Sequence, residues 1–196
     1  MLELIFVRHG ETYANCNKQY SGWRDTCLTE NGISQAKVVA EKLKNIPFDS
    51  IVTSDMNRTR VTAEWINQYH QLEIRVNSSF REMNFGIWEG LQYCEIKDKY
   101  PMELAAWEKD YIKYVTPEGE SLEQMYSRVK NAVEDIIERY EHGRILIVSH
   151  AGCIRAALAH LIGKGIEDYW KYKIENCCMT KIEIHDGFAV LAALNQ

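Results

Sequence analysis

Three short apolar runs, each stopped abruptly by polar or charged residues, constrain this chain more than any other feature. Leu2–Val7 ends at Arg-His-Gly, Ser50–Thr53 ends at Ser-Asp, and Arg144–Val148 ends at Ser-His-Ala-Gly. Runs of this length suit strands buried on both faces. The stretches between them carry helical spacing. Asn31–Leu43 follows Thr29, a candidate N-cap, and Arg58–Tyr69 follows Ser54 or Asp55 in the same role. The clearest periodicity is in Leu122–Tyr140, where Leu122, Met125, Val129, Val133 and Ile136 fall on one face behind a Ser121/Gln124 capping box. A further helix is expected from Gly152 to about Leu161, and one or two short ones around Pro101 between Tyr93 and Lys109. Glu73–Val76 reads as a strand, Asn77 to Gly90 as irregular, and Met179–His185 with Phe188–Leu194 as a hairpin turning on Asp186-Gly187. Strands alternating with helices predict an α/β fold, a mostly parallel sheet with helices on both faces. No repeat, low-complexity tract or linker divides the chain, so residues 1–196 are expected to form one domain.

The strand ends carry the chemistry. Ligands of such sheets bind outside the carboxyl ends of the strands. His9 follows the first run, Arg58 lies just past the second, and His150 follows the third. Taken alone, each has a plain structural reading as a turn, a solvated helix residue or a helix entry. Together with Arg8 they place two imidazoles and two guanidiniums around one point. That set traps a dianion, because guanidinium forks match phosphate oxygens and the helix after His150 presents backbone N–H groups. A nucleophilic histidine must be neutral, and the neighbouring Arg8 and Arg58 favour that form.

Composition narrows the partners. The net charge of -5 gives no reason to expect nucleic acid or an acidic membrane surface. No run is long enough to span a bilayer, and Met1–Val7 has neither the basic start nor the length of a signal peptide. The six cysteines form no C-x-x-C pair, which suits free thiols in a reducing cytoplasm. No H-x-H, H-E-x-x-H or aspartate-rich box is present, so neither a metal nor a cofactor is expected. His70, His142, His160 and His185 read as structural or solvated. The aromatic residues Trp23, Phe85, Trp88, Tyr93, Trp107, Tyr111 and Tyr114 read mainly as packing, with a few walling a pocket. Oligomeric state is not encoded in any pattern we recognise.

The segment Leu4-Ile-Phe-Val-Arg-His-Gly-Glu-Thr12 resembles the signature of the histidine phosphatase superfamily, the phosphoglycerate mutase-like enzymes. Asn15, Ser21-Gly-Trp23, Leu28-Thr-Glu-Asn-Gly32, Ser54-Asp-Met-Asn-Arg-Thr59, Arg81-Glu82, Phe85-Gly-Ile-Trp-Glu-Gly90, Gly119-Glu-Ser121 and Val148-Ser-His-Ala-Gly-Cys-Ile-Arg155 follow in the order of that family. The resemblance implies a three-layer αβα fold of the phosphoglycerate mutase type and hydrolysis of a small-molecule phosphate ester through phosphohistidine. It implies His9 as nucleophile, its tautomer fixed by the Gly10 carbonyl, and Glu82 as the acid that protonates the leaving alkoxide. It implies Arg8, Arg58 and His150 as holders of the phosphoryl group, with Asn15, Gly22 and Ala151 as further substrate contacts. Ala151 stands where the family often has glycine, and Ser21 where its phosphatases often have glutamine. Tyr20, Phe85-Gly86, Trp88–Leu91 and Pro117–Ser121 look most like the alpha-ribazole phosphatase branch, which acts in cobalamin biosynthesis. The alternatives are a broad-specificity phosphatase and a phosphoglycerate mutase, which shares Ser21-Gly-Trp23 but carries a longer segment after the acid. A non-catalytic module is argued against by the intact set of site residues.

Overall fold

The computed structural model describes residues 1–196. Its elements are β1 (Leu2–Arg8), α1 (Tyr13–Cys16), α2 (Glu30–Leu43), β2 (Ser50–Thr53), α3 (Asn57–Asn67) and β3 (Ile74–Val76). There follow α4 (Tyr93–Lys99), α5 (Pro101–Lys109), α6 (Leu122–Arg139), β4 (Gly143–Ser149), α7 (Ala151–Leu161), β5 (Met179–His185) and β6 (Phe188–Ala193). The stretch read as irregular holds two short 3-10 turns, Ser78–Phe80 and Gly86–Trp88.

The six strands form one sheet in the order β3-β2-β4-β1-β5-β6. β1, β2, β3 and β4 are parallel, and β5 runs against both its neighbours. The apolar runs are continuous because both faces are covered. Leu2, Leu4 and Phe6 of β1 pack with α6 and α7, while Ile5 and Val7 pack with α2 and α3. Ile145 and Ile147 of β4 join the first core, and Leu146 and Val148 the second. This is the three-layer α/β arrangement of the phosphoglycerate mutase-like fold. A third, smaller core of Trp88, Ile96 and Leu104 lies off the sheet, with Tyr20, Phe85, Trp107 and Tyr114 against it. The terminal hairpin turns at Asp186 and Gly187, both at positive φ, the conformation that lets a two-residue turn follow the strand twist.

One expected cap fails for a physical reason. α3 starts after Met56, with no side-chain cap. Ser54 instead bonds to His150, and Asp55 pairs with Arg81. The free N–H of Asn57 donates to Asp25 at 3.0 Å. The two candidate caps are thus drawn away, Ser54 to the strand-end His150 and Asp55 to Arg81 beside Glu82.

Candidate active site

Parallel pairing of β1 with β4 aligns Arg8 with Ser149, so His9 and His150 emerge side by side. The His9 N–H donates to the Ser149 carbonyl at 2.9 Å, which ties the two strand ends together. The two imidazoles are 5.2 Å apart, centroid to centroid, and both are buried.

Hydrogen bonding assigns the tautomers. His9 Nδ1 lies 2.8 Å from the Gly10 carbonyl. A carbonyl only accepts, so Nδ1 carries the proton and Nε2 keeps its lone pair. Burial, then Arg58 and Arg8, hold the His9 pKa well below its usual 6.5, so the ring is neutral. His150 shows the opposite tautomer. Arg58 Nε donates to its Nδ1 at 3.3 Å, and its Nε2 lies 2.9 Å from Ser54 Oγ. Thr59 Oγ1, 2.7 Å from Ser54 Oγ, donates on to the Met56 carbonyl. The protons therefore run from His150 to Ser54 to Thr59. Burial, followed by Arg58, also keeps His150 well below its usual pKa.

The two guanidiniums are in different states. Arg8 Nη1 donates to the Ile174 carbonyl at 2.9 Å, while its buried Nε has no protein partner. An unpaired buried cationic donor is a demand for an anion. Arg58, only 1% exposed, donates to the Gly22 carbonyl at 2.6 Å and the Arg24 carbonyl at 3.2 Å. Gly22 offers its N–H to the Glu89 carboxylate, which also receives the N–H groups of Trp23, Arg24 and Phe85. Arg58 and Glu89 thus grip the Ser21–Arg24 loop from opposite sides, and both backbone groups of Gly22 are engaged within the protein. Asn15 accepts from the Thr12 N–H in the capping box of α1 and from Asn176.

Glu82 is carried by an irregular segment, between the turns Ser78–Phe80 and Gly86–Trp88. Its carboxylate accepts the Gly152 N–H at 2.9 Å and the Met83 N–H at 2.9 Å. The expected N-terminal N–H of α7 is therefore directed at Glu82. Gly152 is required for that approach: a Cβ there would stand 2.0 Å from the Glu82 carboxylate. Beyond Glu82 opens a cleft of about 140 Å³ lined by Tyr20, Phe85, Trp88, Trp107, Tyr169, Trp170, Ala151 and Arg155. The Arg155 guanidinium lies 5.2 Å from the Trp170 ring, and its Nε donates to Tyr172. A larger groove of about 560 Å³ at the other end of the sheet includes Arg144, Lys181 and Glu183, which are engaged in ion pairs with Glu3 or with each other.

Sequence reasoning missed several residues. Asn176 donates to the His9 carbonyl at 2.8 Å, and Ser54 fixes the His150 tautomer. Glu89 stood inside a recognised motif with no role attached. Arg155 closes the last family motif with no role attached, and Arg128, Tyr169 and Trp170 carry no sequence signal of their own. No group of three or more His, Cys, Asp or Glu is disposed to hold a metal ion.

Such a set, a neutral imidazole among fixed cations at the strand ends, suits a phosphoryl group. Residues 4–196 match the histidine phosphatase superfamily (branch 1), and the chain belongs to that family of phosphomonoesterases. It is 31% identical over 99% of its length to an adenosylcobalamin/alpha-ribazole phosphatase of Escherichia coli (strain K12), covering 96% of that protein. It is 32% identical over its whole length to phosphoserine phosphatase 1 of Hydrogenobacter thermophilus, covering 92% of it. The solved structure of the alpha-ribazole phosphatase from Shigella flexneri superposes with a TM-score of 0.94 at 32% identity, with 99% of this chain and 96% of that one covered. No helix is long and apolar enough to cross a membrane.

Proposed function

We propose that this histidine phosphatase hydrolyses a nucleoside-like phosphate monoester, alpha-ribazole phosphate of cobalamin biosynthesis, through phosphorylated His9. The observation that carries this reading is the aromatic cleft that Glu82 lines together with Ala151 and Gly152, the residues next after His150. His9 Nε2 attacks phosphorus in line as the bond to the alcohol oxygen breaks. Glu82 is the acid of this step and delivers a proton to the departing alkoxide. In the second half Glu82 takes a proton from water, the oxygen attacks phosphorus, and Nε2 leaves with inorganic phosphate released. Arg8 Nε is the free donor for a phosphoryl oxygen, and Arg58 supplies fixed positive charge beside it. His150, fixed between Arg58 and Ser54, would border the phosphoryl group as a neutral imidazole. Asn15 and Ala151 would complete the rim, whereas the expected contact from Gly22 has no free backbone group to make it.

The cleft suits a flat aromatic leaving group, which stacks on Trp and Tyr faces. Arg155 supports a second reading. Its guanidinium at the cleft would pair with a carboxylate such as that of phosphoserine. Alpha-ribazole phosphate, phosphoserine and 3-phosphoglycerate, the last with its bisphosphate primer, should be compared by phosphate release. The expected order puts alpha-ribazole phosphate first in kcat/KM by at least about tenfold, equivalent to about 1.4 kcal/mol. A preference for phosphoserine that is lost in Arg155→Met establishes the second reading. Interconversion of phosphoglycerates with little phosphate released refutes both.

A further inference from the structure

Glu82 sits in a segment with no regular secondary structure, between the turns Ser78–Phe80 and Gly86–Trp88. A proton donor on such a segment needs something to hold it, because small misplacement of a reacting group is expensive in rate. One side chain does most of the holding. Arg128 of α6 has five N–H groups, and each has a partner. Nη1 donates to the carbonyls of Ser79 at 2.8 Å and Arg81 at 2.7 Å. Nη2 donates to the carbonyl of Glu82 at 2.9 Å and to Glu120 Oε1 at 2.6 Å, and Nε reaches Glu120 Oε2 at 3.1 Å.

The clamp has a second jaw. Glu120 Oε1 also accepts the N–H of Asn84 at 2.8 Å, so the pair holds the backbone on both sides of Glu82. Trp23 Nε1 adds a donor to the Glu82 carbonyl at 3.0 Å. With its peptide fixed this way, the Glu82 carboxylate reaches the Gly152 N–H at 2.9 Å. Both members of the pair are largely buried, the Arg128 side chain 20% and that of Glu120 13% exposed. Lysine cannot replace this arginine. It has three donors on one atom, where the segment requires a planar fork reaching three carbonyls and a carboxylate.

We infer that Arg128, locked by Glu120, is a positioning residue that aims Glu82 at the leaving-group oxygen. The inference rests on the reading of Glu82 as leaving-group acid, and the two can fail separately. A residue that only stabilises the fold lowers activity on all substrates alike. A residue that aims the acid matters in proportion to how much the leaving group needs a proton.

The test compares an alkyl phosphate with p-nitrophenyl phosphate, whose leaving group departs without protonation. Arg128→Lys, Arg128→Met, Glu120→Gln, Glu82→Gln and the double variant Glu82→Gln/Arg128→Met are assayed as kcat/KM, with thermal melts to confirm folding. Arg128→Met should lose about 10²-fold on the alkyl ester and little on p-nitrophenyl phosphate. Arg128→Lys should behave almost as Arg128→Met, and Glu120→Gln, which keeps the shape, should show the same selectivity more weakly. In the Glu82→Gln background, Arg128→Met should add almost nothing, because the group it aims is gone. Equal losses on both esters, or additive losses in the double variant, overturn the inference while the acid role of Glu82 stands. Absence of leaving-group dependence in Glu82→Gln itself overturns both. If Arg128→Met does not fold, Arg128→Lys and Glu120→Gln decide between the same outcomes.

Discussion

At the scale of single residues, His9 is set apart by what its neighbours leave it. Its Nδ1 proton is held by the Gly10 carbonyl, and burial beside two guanidiniums keeps Nε2 unprotonated. Brief exposure to substrate labelled in the phosphoryl group should give an acid-labile, base-stable phosphoprotein. His9→Ala should abolish both label and turnover while the melt is retained. Label persisting in that variant, or moving to a cysteine, would exclude His9 as the acceptor. The residue types that do charge chemistry were legible from sequence, since Arg8, His9, Arg58 and His150 follow strand ends and the fold brings strand ends together. The residues that fix them were not. Ser54 has the sequence signature of a helix cap and serves as the partner of His150. Asn176 lies 167 positions from His9 and announces itself only by a hydrogen bond. Small polar side chains carry no pattern beyond their own turn of chain, so long-range pairing of this kind is invisible until the backbone is placed.

At the scale of elements, β1 and β4 are the central pair, and everything in the pocket depends on their register. A slip by one residue would turn Leu4 and Phe6 to the wrong face and part His9 from His150. Leu146, fully buried in β4 between α2 and α3, tests how firmly that pair is held. Leu146→Ala should destabilise the protein by about 2–5 kcal/mol in urea unfolding, the range for a buried leucine whose cavity cannot collapse. A change below about 1 kcal/mol would mean that this layer repacks and does not set the strand ends rigidly. These strands, α6 and the Asp186-Gly187 hairpin were readable because period and turn chemistry agreed. The stretch from Asn77 to Gly90 was not, because its conformation is dictated by Glu89 within it and by Arg128 and Glu120 from outside. Its 3-10 turns have no internal periodicity to reveal them.

At the scale of the whole molecule, two buried neutral histidines tie stability to pH. Both have folded-state pKa values depressed below the usual 6.5, chiefly by burial. Between the folded and unfolded values the unfolded chain binds more protons, so stability is fully present above about pH 6.5 and falls as the solution is acidified toward the folded values. Thermal melts at about pH 7.5 and pH 5 should show a loss in the native chain that is smaller in His9→Gln, which has one such group fewer. Identical losses would place the acid sensitivity elsewhere. The same molecule-wide view shows a division of labour. The strand ends stand on the two cores that sandwich the sheet, whereas the cleft behind Glu82 draws one wall, Trp88, Trp107 and Tyr20, from the small core off the sheet and another, Met83, Leu122 and Tyr169, from the large one. Because Tyr20, Trp88 and Trp107 have packing of their own, a lineage can rebuild that wall of the cleft without disturbing the paired imidazoles.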